Sequence, residues 1–388
     1  REMHLKTKQQ VVLLVDEYDK PILDVIDNID EAKINREILK ALYSQVKTND
    51  EHLKFVLLTG VSKFSKVSLF SGLNNLQDIS LHFKYPDICG YTQSELEYAF
   101  AAYIKDGNID LVKLKKWYNG YNFAGTDKQK VYNPFDILLF CSSNYQYRNY
   151  WFETATPTFL IKHLLQSNYF IPEMESIIIT DESLASFDIE SIPLHTLLFQ
   201  TGYLTIKNVT TIGTQYAYEL SYPNLEVKSS LNSHFMQLGS SVEVKNNSLS
   251  SLSNCLVKAE FESLKTIFNA HFASIPHDWY RKNPIGQYEG FYASIVYSCF
   301  CALGYDLIAE DVTSVGKIDL TVKMPDKILI IEFKLAKYGS AIDAIKQIKT
   351  KQYPQKYQTD NLDIYLIGMS FDEKLKQIKD LVIEKYSS

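Results

Sequence analysis

Apolar residues come along this chain in short uninterrupted runs and in longer helical stripes, and the two kinds alternate. Val11 to Val15 is a run without a polar interruption, ending in Asp16-Glu17. That form predicts a buried parallel strand that delivers its acids to the C-terminal edge of a sheet. Helical spacing follows from about Glu31 to Val46, and a second buried run, Phe55 to Leu58, ends in Thr59. Strand, helix and strand of these lengths make a βαβ crossover.

From Tyr91 onward the pattern turns mainly helical. Gln200 to Val209 and Tyr216 to Leu220 alternate in short segments around a turn of Thr and Gly, which predicts a β-hairpin wing. The dense aromatics here, Trp117, Tyr118, Tyr121, Tyr150 and Trp151, are expected to pack in cores rather than stack on bases. Ser240 to Ser253, with Asn246, Asn247 and repeated Ser, reads as a linker or exposed loop.

In the C-terminal third, Tyr288 to Leu303 has core spacing at Tyr292, Ile295, Val296, Cys299, Phe300 and Leu303, with Gly304 as the stop of a helix. Two β-rich runs, Lys317 to Val322 and Ile328 to Lys334, flank the turn-forming pair Pro325-Asp326. If that pair centres the turn, Asp319 faces Glu332. A helix from Ala341 to about Tyr353 and a buried strand from Leu362 to Gly368 complete the order helix, strand, strand, helix, strand.

Directly opposed residues of an antiparallel pair have Cβ atoms roughly 4.5–5.5 Å apart, and like charges there are destabilising. Alternation puts Glu332 and Lys334 on one strand face and Leu329, Ile331 and Phe333 on the other, which is expected to be the core-seeking face. Two carboxylates and an ammonium in one cleft suit a divalent cation with oxygen ligands, with the lysine near an attacked phosphate. The chemistry implied is phosphodiester hydrolysis. The bland alternative is a structural salt-bridge network in which Lys334 neutralises both acids. Glu289, in the first turn of its helix, lies on nearly the same face as Tyr292 and Val296 and so points inward; it also favours the helix dipole.

With Glu289, Asp319, Glu332 and Lys334 in this order of elements, the segment resembles the PD-(D/E)XK nuclease superfamily. Gly316-Lys-Ile-Asp319, Ile331-Glu-Phe-Lys334, Gln347, Lys351 and Tyr353 resemble more narrowly the nuclease module found behind an AAA-ATPase-like domain in many bacterial proteins. The resemblance implies Asp319 and Glu332 as Mg²⁺ or Mn²⁺ ligands, Glu289 as a third or water-mediated ligand, Lys334 as stabiliser of the phosphate charge, and Gln347 orienting Lys334 or a phosphate. That family usually has Arg where this chain has Lys317, which keeps the charge without the bidentate contact.

Asp16-Glu-Tyr-Asp-Lys-Pro21, Thr59-Gly-Val-Ser-Lys-Phe-Ser-Lys-Val-Ser68, Leu73-Asn-Asn-Leu-Gln-Asp78 and Trp117-Tyr-Asn-Gly-Tyr121 resemble the AAA-ATPase-like family itself. Asp16 and Glu17 would then be Walker B acids and Thr59 a sensor hydroxyl in nucleotide binding. No G-x-x-x-x-G-K-[ST] loop occurs, and Lys63 to Lys66 after Gly60 is a poor substitute. Only Arg1 to Gln10 precede the first strand, so the chain is expected to be a fragment or a truncated copy, with ATP a ligand only together with the missing P-loop. The fold class expected is α/β: a partial P-loop NTPase-like parallel sheet over 1–90, a helical and winged-helix-like region over 91–225, a linker over 226–256 and a restriction-endonuclease-like α/β domain over 257–388.

Composition changes this picture little. Among 388 residues, 46% hydrophobic content excludes a disordered chain, and no apolar run approaches the roughly 18–20 residues of a membrane span. The expected setting is cytoplasmic, with five cysteines unpaired and reduced. A formal charge of −6 means that nucleic acid, with DNA favoured, must be met by a local basic face such as Lys346, Lys349, Lys351 and Lys356. Self-association through the ATPase-like region is a further expectation. The rival from another class is a nucleotide- or nucleic-acid-responsive protein that binds without cutting.

Overall fold

The computed structural model describes residues 1–63, 69–70, 75–123, 125, 130–151, 170–185, 189–190, 193–236, 241–275 and 289–387. They fall into two compact units, Arg1–Tyr147 with Ser176–Asn224, and Arg148–Glu175 with Leu225–Ser388. Tyr288, Ser240, Lys66 and the segments 64–68 and 73–74 of the family strings lie outside the described residues.

In the first unit β1 (Val11–Val15) pairs in parallel with β2 (Leu53–Leu58), joined through α1 (Ile29–Thr48). The expected crossover is present, but its strands are not buried on both faces. Val12, Leu14 and Phe55 are at least half exposed, because among the described residues the two strands pair only with each other and alternate side chains stay uncovered. Beyond them come α2 (Gln93–Ala99), closed by a Thr92/Glu95 capping box, then α3 (Leu111–Tyr118), the short pair β3 (Asn119–Tyr121) and β4 (Val131–Tyr132), and α4 (Pro134–Ser142). Tyr118 and Tyr132 are fully buried, in line with packing rather than base stacking.

The wing is a three-stranded sheet in the order β5-β7-β6, built from β5 (Ile177–Thr180), β6 (Thr205–Ile212) and β7 (Gln215–Ser221). Ile212 pairs with Gln215, so Gly213, at φ 62°, and Thr214 form a two-residue hairpin loop. Gln200 is not in the wing as expected: it ends α5 (Leu194–Gln200), whose buried Leu197 and Leu198 continue a helical stripe.

The second unit corrects the linker expectation. The described residues of 226–256 are almost all helical, in α6 (Leu225–Met236) and α7 (Val242–Lys258). Ser241 caps α7 by accepting from Val244 N–H, and Leu252, Cys255 and Leu256 form its buried stripe. The Ser and Asn residues that suggest a loop are a cap and a solvent face.

After α8 (Leu264–Ser274) and α9 (Glu289–Ala302) comes a five-stranded sheet in the order β12-β11-β10-β9-β8: β8 (Asp306–Thr313), β9 (Gly316–Lys323), β10 (Lys327–Leu335), β11 (Asp363–Asp372) and β12 (Gln377–Lys385). Only β10 and β11 run parallel, joined through α10 (Ala341–Thr350). The central strand β10 is buried on both faces. Ile328 and Ile330 pack with Ile345 and Ile348 of α10, while Phe333 meets Phe371, which stacks on Tyr292 of α9. The expected division into an apolar and a charged face therefore fails, since Glu332 and Lys334 share their face with core isoleucines. Gly368 of β11 lets α10 come close, because a Cβ there would stand 2.2 Å from the Ala341 carbonyl oxygen. Among the described residues no helix is long and apolar enough to cross a membrane.

Candidate functional site

The hairpin register expected from Pro325-Asp326 holds from Ile328↔Lys323 to Ile331↔Leu320. The next step would oppose Asp319 and Glu332, and there the backbone pairing stops. The Asp319 carboxylate instead accepts the Phe333 N–H at 2.7 Å. Glu289, the first residue of α9, accepts the Leu335 N–H at 3.0 Å. Two acids from neighbouring elements thus hold the amides on either side of Lys334.

Glu332 is only 1% exposed. Gln347 of α10 donates to its Oε1, Lys334 Nζ stands 3.5 Å from the same oxygen, and Oε2 is buried with no hydrogen-bond partner. Gln347 therefore orients Glu332, and not Lys334 as expected. The helix that carries it is fixed at its start by a Ser340/Asp343 capping box. Beyond α10, Tyr353 O–H donates to the Lys317 carbonyl at 2.7 Å.

Burial pushes all three carboxyls up. Asp319 rises to about 6, mainly by desolvation, with the Phe333 N–H and Lys334 opposing and the Glu289 and Glu310 charges adding. Glu332 rises to about 8, by burial first and the neighbouring Asp319 charge second, against the pull of Lys334 and of the Asp319 backbone N–H. Glu289 is raised by burial, with Lys334 and the Leu335 N–H opposing. Desolvation outweighs like-charge repulsion in each case, so the strain at this site comes chiefly from keeping carboxylates out of water.

Among the described residues no group of three or more His, Cys, Asp or Glu side chains is arranged to hold a metal ion. The pair Asp319 and Glu332 fits a divalent cation in another way. It is an all-oxygen set with one buried carboxylate oxygen left unpartnered, and Mg²⁺ is commonly held by one or two carboxylates while keeping several waters. Glu289 joins the site through Lys334 and the β10 backbone.

Sequence reasoning missed Glu310 and the network beside it. Asp311, 2% exposed, is bound by Thr321 at 2.7 Å and by Tyr357 and Lys356, which ties the turn Tyr353–Asp360 to β8 and β9. Only an acid within a β-rich run signals it beforehand. The expected basic face is largely paired within its own unit: Lys346 with Asp343, Lys349 with Glu384 and Lys356 with Asp311.

In the first unit Thr59 donates to Asp16 Oδ1 at 2.6 Å, so the structure brings together two of the residues expected at the sheet's C-terminal edge. Glu17, at φ 52°, is exposed beside them. The buried acid of this motif is Asp19, which sequence reasoning passed over. It accepts from Val61 N–H at 3.2 Å and from Ser62 N–H and O–H at 2.6 Å. Gly60 leaves room for it, since a Cβ there would meet Asp19 Oδ1 at 2.4 Å. Lys63 is ion-paired with Asp78 and gives its N–H to Gln200.

Residues 287–381 match the PD-(D/E)XK nuclease superfamily, and residues 1–70 match a family described as predicted AAA-ATPase. The chain is also 45% identical over 388 residues to an "uncharacterized protein in vnfD 5'region" of Azotobacter chroococcum mcd 1, an alignment covering 99% of this chain and 73% of that protein. The chain belongs to the AAA-ATPase-like family with a C-terminal PD-(D/E)XK nuclease-superfamily module. No solved structure matches it. In this AAA-ATPase-like protein the superfamily match begins just before α9 and ends within β12. The compact unit around it is larger, taking in α6 to α8 and the 3-10 turn Ile171–Glu175, whose Ile171 N–H reaches Ser294 of α9 at 3.2 Å.

Proposed function

We propose that this protein hydrolyses phosphodiester bonds of nucleic acid, with DNA the preferred substrate, at the Asp319–Glu332–Lys334 centre and with a divalent cation, Mg²⁺ or Mn²⁺. The observation that carries the reading is the buried Glu332 carboxyl beside the buried Asp319, with Lys334 3.5 Å away and both acids raised chiefly by burial. A chain built for stability alone gains nothing from two neighbouring buried acids that burial holds above their ordinary range.

In this reading the bound cation supplies Lewis acidity toward the phosphate and favours the attacking water. Asp319 and Glu332 would hold it. Gln347 keeps Glu332 in one rotamer by donating to Oε1, and the Phe333 N–H does the same for Asp319. Lys334, pinned between amides that the two acids engage, offers its ammonium to the charge that grows on the phosphate oxygens. Glu289 balances that ammonium. The ATPase-like region, with Asp16 and Thr59 at its sheet edge, would act as a regulatory element, and its uncovered Val12, Leu14 and Phe55 suit self-association.

The test is cleavage of supercoiled DNA, linear DNA and RNA by the wild-type chain and by Asp319→Ala, with Mg²⁺, Mn²⁺ or EDTA. Cutting that needs metal and vanishes in the variant supports the proposal. Absence of both cutting and calorimetric metal binding overturns it and favours a module that binds without cutting.

A further inference from the structure

Glu310 belongs to none of the motifs above, yet it stands next to Asp319. In β8, Ala309 pairs with Leu320 and Asp311 with Ile318, so the register partner of Glu310 is Asp319. That pairing is not made. Glu310 takes φ 48°, a left-handed conformation disfavoured for any residue with a Cβ, and the ladder continues on both sides of it. Glu310, Asp319 and Glu289 line one cavity of about 150 Å³, walled on its other side by Phe170, Pro172 and Tyr297. The Glu310 side chain is about half exposed, and its charge is met by the more exposed Lys317 at 3.2 Å.

We infer that Glu310 is a positioning acid of the Asp319–Glu332 centre, strengthening its hold on a divalent cation through the cation's water shell rather than by direct ligation. The inference rests on the nuclease reading. Glu310 stands at the ladder position opposite Asp319, the one of the two proposed ligands that lines this cavity, and although Lys317 offsets part of its charge it adds negative potential at that ligand. Groups that act through a ligand or a bound water typically change metal affinity by about 10–100-fold. Were the bend itself the purpose of position 310, glycine or asparagine would serve it better, because both enter this backbone region more readily than glutamate.

Glu310→Gly and Glu310→Asn remove the charge while suiting the backbone, and Glu310→Asp keeps the charge. Mn²⁺ binding to each full-length chain is followed by calorimetry and electron paramagnetic resonance, beside the Mn²⁺ concentration that gives half-maximal cleavage. The Gly and Asn variants are expected to melt no lower than wild type, to bind Mn²⁺ about 10-fold or more weakly, and to need correspondingly more Mn²⁺, with a smaller change in the maximal rate. The Asp variant falls between them and wild type. Equal Mn²⁺ affinity in wild type and the Gly variant overturns the inference while leaving the nuclease reading intact. A wild-type chain that neither binds Mn²⁺ nor cuts overturns both.

Discussion

Replacing Glu332 by glutamine is expected to stabilise the metal-free protein at neutral pH and to destroy its function. The carboxyl is 1% exposed, and burial with Asp319 beside it raises it from the ordinary 4.5 to about 8. An acid whose folded value is raised binds more protons when folded, so stability is highest below the unfolded value. It then falls as pH rises, and levels off above about pH 8. At about 1.4 kcal/mol per unit, the span from 4.5 to pH 7 corresponds to a penalty on the order of 3 kcal/mol that glutamine does not incur. Glutamine keeps an oxygen for Gln347 to donate to, so the difference isolates the charge. The assay is hydrogen exchange of peptides across β9 and β10 in EDTA, corrected for intrinsic rates, between pH 5 and pH 8.5. The wild type should lose protection across this range, and Glu332→Gln should lose less, with its remaining loss confined to the region below about pH 6 where Asp319 still titrates, and should exceed the wild type at pH 7. Parallel pH profiles, or a glutamine variant that is weaker at pH 7, would refute the argument. Saturating Mn²⁺ should narrow or reverse the order, because a ligand at 100 times its dissociation constant adds about 2.7 kcal/mol to the form that binds it.

Lys334→Ala should slow cleavage by about a hundred- to a thousand-fold while Mn²⁺ binding, read by calorimetry, is retained, since the lysine acts on developing phosphate charge and not on the cation. Gly368→Ala drives a methyl against the Ala341 carbonyl and the Ala344 side chain, so α10 must shift and carry Gln347 with it. Urea unfolding of this unit should show a loss of about 1–3 kcal/mol. Asp19→Ala leaves the buried Ser62 N–H and O–H, and the N–H of the half-exposed Val61, without their acceptor; a loss of about 1–3 kcal/mol is expected, seen as faster proteolysis near residues 60–63. Unchanged proteolysis there would mean that water replaces the carboxylate.

Local pattern reveals elements whose burial is one-sided or complete, and it fails where a neighbour distant in sequence decides. The β9–β10 register was legible because Pro325-Asp326 sets it locally, and α9 and α10 announce themselves by core spacing and caps. The strands β8 and β12 were not legible. Both are edge strands with charged residues interleaved, such as Glu310 and Asp311 in β8 and Lys379, Asp380 and Glu384 in β12, and only pairing with β9 and β11 makes them strands. Helix α7 was hidden for the opposite reason, since its Ser and Asn content imitates a loop while three buried positions, Leu252, Cys255 and Leu256, hold it in place. The exposed faces of β1 and β2 could not be foreseen either, because an apolar run says that a strand can be buried, not that anything packs on it.

The same distinction separates what was visible of the site from what was not. Asp319, Glu332 and Lys334 stand out as charges within the apolar stretches of their strands, and the spacing around Pro325-Asp326 implies that Asp319 and Glu332 meet. Their physical state depends on contacts that no spacing encodes. Gln347 reaches Glu332 from a helix that Gly368 allows to approach, Glu289 reaches the Leu335 amide from 46 residues away, and Asp319 takes an amide at the step where the ladder ends. Like-charge opposition, the cost suggested by the hairpin, is secondary to desolvation, because β10 turns out to be the central strand of five. A carboxylate in the middle of a sheet needs a counter-charge, and Lys334 reaches only one of the Glu332 oxygens. Burial and the neighbouring Asp319 raise the Glu332 carboxyl while one lysine opposes them, and that imbalance is the physical argument for the cation proposed at this centre.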